Sequence, residues 1–185
     1  MPTRYKKMLE VLKKIKLYDI ITIQSKRKED IPMSKIILFD MDGTVADLYG
    51  VANWLDKLNR FDPTPYIEAK PLVDMAALKE VCTALENIGY SIGVATWLSK
   101  NSTPEYDIAV TNAKLEWLEN YMPFITEFHP MPFGTPKHTV VKRCSEMWLV
   151  DDSAEVRSMW NTPKQRKSIN ANEDIIAKLW ELVGN

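Results

Sequence analysis

Cysteine and histidine are scarce in this sequence of 185 residues, which contains two of each. Two cysteines could form one disulfide, but Cys82 and Cys144 both lie in apolar segments with helical spacing, so we expect two buried thiols and a cytoplasmic protein. The sequence also lacks a long hydrophobic run, which excludes a membrane-spanning segment. Lysines interrupt the apolar residues of positions 1–14, so a signal peptide is not expected.

The charged residues are unevenly distributed, although the net charge is only −1. Residues 1–35 contain ten Lys or Arg against four Asp or Glu, whereas the rest of the chain contains fourteen against twenty-one. Apolar residues at helical spacing over about 3–17 predict an amphipathic helix, and the polar segment 25–34 predicts a linker. We therefore expect a basic helical extension over 1–34 and one domain over 35–185. Two interpretations of the extension are open. Either it docks on the domain with its lysines in water, or it makes an electrostatic contact with nucleic acid or a membrane surface.

From Lys35 onward, strand and helix patterns alternate. Segment 60–71 contains three prolines and is expected to be rich in loop. The stretch 47–71 is too short for a large cap domain, so we expect a small helical cap there. Apolar runs predict strands at 35–39, 90–96, 124–131, 147–152 and 167–170, and helical spacing predicts helices at 49–59, 72–89, 104–122, 136–146, 154–160 and 173–183. We expect Ser102 or Thr103 to cap the third of these helices and Thr135 to cap the fourth. The alternation predicts a layered α/β fold with a mostly parallel sheet.

Four of the predicted strands end in polar residues or lead to one through a loop. These residues are Asp40 and Asp42 after the first strand, Thr96 at the end of the second, Lys137 after the third, and Asp151 and Asp152 after the fourth. Because the carboxyl ends of parallel strands meet at one edge of a sheet, we expect these groups to converge. Carboxylates that share a site need a proton or a counter-ion. Oxygen ligands without a Cys/His cluster favour Mg²⁺ over zinc, and Mg²⁺ with carboxylates and a lysine is typical of a phosphate site.

These residue types also suggest individual roles. A carboxylate can attack phosphorus to give an aspartyl-phosphate, and Asp40, held by the strand, is our candidate nucleophile. Asp42, two residues on, is placed to protonate the leaving oxygen and then to accept a proton from the attacking water. Gly43 permits the sharp turn that follows. The predicted donors to the phosphoryl oxygens are Thr44, Thr96 and Lys137.

The segment DMDGT at 40–44, the strand ending in Thr96, the lysine at a helix start and the strand ending in Asp151-Asp152 together resemble the four motifs of the haloacid dehalogenase-like superfamily. The resemblance covers roughly residues 35–182. It implies a Rossmann-like three-layer sandwich with a small cap insertion. Within that superfamily, dehalogenases lack the second aspartate and ion-pumping ATPases carry threonine there, so Asp42 implies a phosphatase.

The longer stretch DMDGTVADLYG resembles the opening of the 5′(3′)-deoxyribonucleotidase family, and AKLEWLENYMP at 113–123 is similar to a helix of that family. This resemblance implies a nucleoside monophosphate as substrate. It also implies that Mg²⁺ is held by Asp40, the carbonyl of Asp42 and Asp151, with Asp152 behind them. The chain departs from the family after Thr96, where TWLSK replaces the usual small residues and proline.

Several alternatives stay open at this point. Lys137 and Lys142 both qualify as the phosphate-binding lysine, and geometry favours Lys137, because Lys142 lies about 7 Å further along the predicted helix, away from the active edge. Tyr49, Trp54 and Trp97 could stack a nucleobase or pack the cap on the core. The substrate could instead be a sugar phosphate or the 3′-phosphate end of a nucleic acid. Alternatively, the chain could be a binding protein that acts through its basic extension.

Overall fold

The computed structural model describes residues 35–141, 144–161 and 166–184. The predicted helix and linker of the basic extension lie outside these residues. The strands are β1 Lys35–Phe39, β2 Ala46–Asp47, β3 Lys70–Pro71, β4 Tyr90–Trp97, β5 Glu127–Met131, β6 Glu146–Asp151 and β7 Arg166–Asn170. The α-helices are α1 Trp54–Asn59, α2 Thr64–Glu68, α3 Met75–Asn87, α4 Pro104–Tyr121, α5 Ala154–Trp160 and α6 Ile175–Val183, and a 3₁₀ helix covers Lys137–Val140.

Five strands form the main sheet, in the order β5-β4-β1-β6-β7, and every neighbouring pair is parallel. Numbered by their position in the chain, these strands follow the order 3-2-1-4-5, which is the order of the Rossmann fold. The order reverses between β1 and β6, and ligands of such sheets bind outside the carboxyl ends of the strands at this point. The sheet therefore confirms the predicted α/β fold. A ligand site is expected at the carboxyl ends of β1 and β6.

The core lies on both faces of this sheet, because alternate side chains of a strand point to opposite sides. Ile37 and Phe39 pack against residues of α3, α4 and α6 on one face. Ile36 and Leu38 pack against Val156 and Trp160 of α5 on the other. The result is a three-layer arrangement in which β1 is buried from both sides, as its continuous apolar run predicts.

Two helices and a two-stranded ribbon make up the small cap. Strands β2 and β3 pair antiparallel, and α1 and α2 lie between them in the chain. Within the segment 60–71, which was expected to be rich in loop, Thr64–Glu68 forms α2 with a proline in its first turn, where the missing N–H costs no hydrogen bond. Trp117 of α4 is buried and its Nε1 donates to the carbonyl of Ala69 at 2.7 Å, which fixes the base of the cap to the core.

The helix predicted at 136–146 is wrong in length and in its cap. Among the described residues of this segment, only Lys137–Val140 is helical, as a 3₁₀ helix without a side-chain cap from Thr135, and Val141 already has extended backbone angles. Cys144 consequently lies outside any helix and is half-buried, whereas Cys82 is buried in α3 as expected. By contrast, the predicted cap of α4 is confirmed, since the hydroxyl of Thr103 accepts from the amide of Tyr106 at 3.2 Å. None of the described helices combines the length and the apolar character that crossing a bilayer requires.

Candidate active site

The turn after β1 is built around two backbone carbonyls, since the amide of Gly43 donates to the carbonyl of Ala46 at 2.8 Å and three amides donate to that of Met41. The amide of Asp40 still donates to Val150 of β6 at 2.8 Å, and the chain then turns sharply. The carbonyl of Met41 accepts from the amides of residues 44, 45 and 46 at 2.9–3.2 Å. Gly43 has a φ of +82°, and a Cβ at this position would lie 2.7 Å from Cε2 of Tyr49 and 3.0 Å from Oδ2 of Asp152. The turn thus requires glycine for both its backbone angle and its close contacts.

Lys137 joins the ends of β1 and β6. Its Nζ lies 2.5 Å from Oδ1 of Asp40 and 2.7 Å from Oδ2 of Asp151. All three residues are buried, with exposures of 4%, 8% and 1%, so these contacts are made largely out of water. The other carboxylate oxygen of Asp151 accepts from the amide of Ser153 at 2.8 Å. The lysine that starts the 3₁₀ helix therefore bridges two carboxylates from adjacent strands.

The electrostatics of this group show a shortage of positive charge. Burial raises the pKa of Asp151 to about 6, with a further contribution from Asp40 that Lys137 only partly offsets. Burial and Asp40 also raise the pKa of Asp152. Burial alone would lower the pKa of Lys137, but Asp40 and Asp151 outweigh it and the pKa is raised. The raised pKa values of Asp151 and Asp152 are what is expected where carboxylates outnumber the nearby cations.

Asp40, Asp151 and Asp152 could hold a metal ion, since each offers a carboxylate oxygen and these oxygens lie within 4.8 Å of one another. Thr44 is buried and supports this cluster, because its hydroxyl accepts from the amide of Asp152 at 3.2 Å and hydrogen-bonds the Asp152 carboxylate. The donor set contains only oxygen atoms, which suits Mg²⁺. Together with Asp42, the site has four carboxylates, and its two buried lysines are Lys137 and Lys114, which is described below. A divalent cation would therefore balance the formal charge.

The second lysine, Lys114, was missed in the sequence. It lies in the middle of α4 with no exposed surface, and its Nζ lies 2.5 Å from Oδ2 of Asp42 and 2.7 Å from Oγ1 of Thr96. Burial nevertheless raises the pKa of Asp42, since Lys114 opposes the shift only in part and Asp40 adds to it. A signal was present, because Lys114 lies four residues after Val110 and three before Trp117, on the stripe that faces the core.

A cavity of about 430 Å³ opens from this acidic group towards the cap. Two aromatic pairs line it. Tyr49 and Trp54 are in edge contact at 5.1 Å between ring centroids, and Trp97 lies 5.0 Å from Phe133. Tyr49 and Phe133 are about half exposed, at 53% and 51%. These rings therefore present surface to the cavity in addition to packing against each other, and the volume is in the range of small-molecule sites.

The structure brings most of the predicted site residues together. Those that line the cavity are Asp40, Asp42, Lys137, Asp151 and Asp152. Thr44 and Thr96 are adjacent but fully buried, and their hydroxyls bond Asp152 and Lys114, so their contact with a phosphoryl group stays a prediction. Lys142 lies outside the described residues. The acidic residues predicted at the strand ends therefore lie together, whereas Lys114, which contacts Asp42, and Phe133, which lines the cavity, were not singled out in the sequence.

The sequence matches no protein-family model and no curated protein. Among solved structures, it resembles a chain of the Pnkp1/Rnl/Hen1 RNA repair complex, with a TM-score of 0.53 and 14% identity over 78% of this chain and 44% of that one. The match therefore spans less than half of that chain. D,D-heptose 1,7-bisphosphate phosphatase from Burkholderia thailandensis gives a TM-score of 0.49 at 15% identity, over 82% and 100% of the two chains. The HAD domain of the effector protein Lem4 from Legionella pneumophila gives 0.44 at 14% identity, over 81% and 93%. The first of these likenesses shows a shared fold.

Proposed function

We propose that this chain is a Mg²⁺-dependent phosphatase that hydrolyses a phosphomonoester through an aspartyl-phosphate on Asp40, with a nucleoside monophosphate as substrate. The observation that carries the proposal is the position of Asp40. Its carboxylate lies at the switch point of the sheet, is bound through Oδ1 by Lys137, and lines the cavity beside Asp42. Phosphoryl transfer to a carboxylate requires a carboxylate nucleophile, a second carboxyl group as the acid and a cation such as this buried ammonium.

In the first step, the free carboxylate oxygen of Asp40 attacks phosphorus, and the bond from phosphorus to the leaving oxygen breaks. The leaving oxygen takes a proton from the carboxyl group of Asp42, whose pKa burial raises, which favours the protonated form that this step needs. Lys137 stays on Oδ1 of Asp40 and orients the nucleophile. Its ammonium also lies beside the position where negative charge develops.

In the second step, a water molecule attacks phosphorus and gives its proton to the Asp42 carboxylate. The bond between phosphorus and Asp40 breaks, phosphate leaves, and both aspartates regain their starting states. Asp40, Asp151 and the carbonyl of Asp42 would hold Mg²⁺, with the nearby Asp152 carboxylate as a further oxygen donor. When bound, the ion would polarise the phosphoryl oxygens and neutralise the carboxylates.

The walls of the cavity support the nucleotide as substrate class. A phosphate that reaches Asp40 would extend its leaving group past Tyr49 and Trp54 on the cap and past Trp97 and Phe133 on the core. Aromatic side chains stack on nucleobases and stabilise the complex by about 1–3 kcal/mol per base. A sugar phosphate lacks an aromatic base and so cannot form this ring-on-ring stacking.

A panel of phosphomonoesters with Mg²⁺ tests the proposal. The panel contains nucleoside 5′- and 3′-monophosphates, sugar phosphates and an oligonucleotide with a 3′-phosphate, and released phosphate is measured. We expect turnover of the nucleoside monophosphates, its loss in Asp40→Asn, and no change in Glu80→Gln, an exposed glutamate on α3 that serves as the matched control. Full activity of Asp40→Asn would refute the mechanism. Preferential turnover of sugar phosphates or of the oligonucleotide would refute the substrate assignment alone.

A further inference from the structure

Lys114 is unusual because it is fully buried inside the protein. Lysine is almost never fully buried unless its charge is paired. Its Nζ contacts Oδ2 of Asp42 at 2.5 Å and Oγ1 of Thr96 at 2.7 Å. The ring of Tyr66 covers the same ammonium, with its centroid 4.7 Å from Nζ. A carboxylate, a hydroxyl and an aromatic face thus surround one buried charge, and the cost of removing that charge from water is offset only by these contacts.

We propose that Lys114 is a positioning residue for the hydrolysis proposed above: it holds Asp42 through Oδ2 and so leaves Oδ1 to exchange the proton with the leaving oxygen. The inference rests on the proposed function. It also changes the interpretation of Thr96. The hydroxyl that the sequence assigned to phosphate accepts from Lys114, so in this account Thr96 acts through the lysine.

The two buried lysines divide the carboxylates between them. Lys137 contacts Asp40 and Asp151, whereas the ion pair of Lys114 is with Asp42. Removing Lys137 therefore disturbs the nucleophile and the metal ligands. Removing Lys114 leaves those contacts in place and releases the group that protonates the leaving oxygen. The fall in rate caused by replacing Lys114 should consequently depend more strongly on the leaving group than the fall caused by replacing Lys137.

The cap contributes to this arrangement through Tyr66 of α2. Its side chain is buried, its hydroxyl hydrogen-bonds Ser99 in the loop after β4, and its ring shields the ammonium of Lys114. Tyr66 packs beside Tyr106 and Val110 of α4, the helix that carries Lys114. The cap thereby keeps water away from the pair of Lys114 and Asp42, which strengthens the contact that orients the carboxylate.

Two aryl phosphates of similar shape can show whether Lys114 positions the acid Asp42 or only stabilises the structure. Phenyl phosphate and p-nitrophenyl phosphate differ mainly in the leaving group, since p-nitrophenolate leaves readily without a proton and phenolate does not. We expect Lys114→Met to slow the first-turnover release of phenol at least about tenfold more than that of p-nitrophenol, because general-acid catalysis contributes 10²–10⁴-fold where it is needed. Lys79→Met, at an exposed lysine of α3, is the matched control and should change neither rate.

Equal slowing of both substrates by Lys114→Met would overturn the inference and leave the proposed function intact. Absence of phosphate release by the wild-type protein from both aryl phosphates and from the whole panel would instead refute the proposed function. Thr96→Val provides a second measurement that does not require removal of a charge, and it decides the question if Lys114→Met does not fold. We expect Thr96→Val to slow product release less than Lys114→Met does, again with a larger effect on phenyl phosphate than on p-nitrophenyl phosphate. A uniform loss would show that Thr96 contacts phosphate directly and would contradict the inference.

Discussion

The ammonium of Lys137 lies 2.5 Å from Oδ1 of Asp40, although the two residues are 97 positions apart in the chain. The 3₁₀ helix that carries Lys137 and the end of β1 that carries Asp40 are thus joined by a buried charge pair. Breaking such a pair by removing one partner leaves an uncompensated charge. The same contact therefore links the proposed chemistry to the stability of the fold.

Lys137→Met should impair both properties. We expect kcat/KM to fall about 10²–10³-fold, as when one donor to the developing charge is removed, and the free energy of unfolding of the metal-free protein to fall by about 3–5 kcal/mol. Steady-state kinetics and urea denaturation measure the two effects. Lys57→Met is the control for stability, because Lys57 pairs with Glu68 at 2.7 Å in a more exposed setting and should lose at most about 1 kcal/mol. Similar losses of stability in the two variants would contradict the prediction.

The raised pKa of Asp151 predicts a pH dependence of stability in the metal-free protein. Its folded-state pKa of about 6 lies above the value of about 3.9 in an unfolded chain. The folded state therefore binds the proton more tightly, and the stabilisation from this group is complete below about pH 4 and lost as the pH rises through about 6. Asp151→Asn lacks this titration, so its Tm relative to wild type should rise by several degrees between pH 4 and pH 7.5 in EDTA.

Thermal denaturation of both proteins across this range makes the comparison. A Tm difference that stays constant, or that falls with rising pH, would show that Asp151 is not protonated in the folded protein near pH 5. Excess Mg²⁺ should raise the Tm of wild type at pH 7.5 and leave Asp151→Asn nearly unchanged, because the variant has lost a proposed ligand.

Gly43→Ala should disturb the site through two separate effects. The φ of +82° strains any other residue by about 1–2 kcal/mol, and the new methyl group would also meet Tyr49 at 2.7 Å. Gly134→Ala isolates the first effect, since Gly134 has a φ of +81° but no atom within 4 Å of the added Cβ. We expect Gly43→Ala to be the less stable variant and the only one of the two to lose phosphatase activity. Equal behaviour would mean that the close contacts of Gly43 are unimportant.

The aromatic walls predict an effect on substrate affinity. Removing Phe133 or Tyr49 should raise KM for a nucleoside monophosphate about tenfold, since stacking on one ring stabilises a bound base by about 1–3 kcal/mol. KM for methyl phosphate, which has no base, should stay the same. Trp180→Ala, at an exposed ring on α6 outside the cavity, is the control. A parallel rise for both substrates would assign these rings to cap packing instead.

The sequence predicted the sheet and its acidic edge because both follow from local patterns. The apolar run 35–39 before Asp40, and the run 147–150 before Asp151, identify two strands whose carboxyl ends must meet in a parallel sheet. Gly43 and the cap of α4 by Thr103 were predictable for the same reason, since each depends on a few neighbouring residues.

Lys114 could not be assigned with the same ease, because its partners Asp42 and Thr96 are distant in sequence and its burial depends on how α4 packs against the cap. Helical periodicity placed it on the inner stripe but does not say that a charge can be satisfied there. Helix α2 was missed because prolines usually indicate a loop, whereas Pro65 lies in the first turn of a helix. Phe133 follows β5 and contacts Trp97 at the end of β4, so its place in the cavity depends on a contact between residues distant in sequence.

The proposed mechanism depends on a covalent aspartyl-phosphate intermediate at Asp40. Rapid quenching during turnover, followed by borohydride reduction, converts an aspartyl-phosphate to homoserine, and peptide mass spectrometry locates the modified residue. We expect homoserine at position 40 in the wild-type protein, in amounts that depend on Mg²⁺ and substrate, and none in Asp40→Asn. Turnover of substrate without homoserine at position 40, or with the modification at another aspartate, would contradict the proposed mechanism.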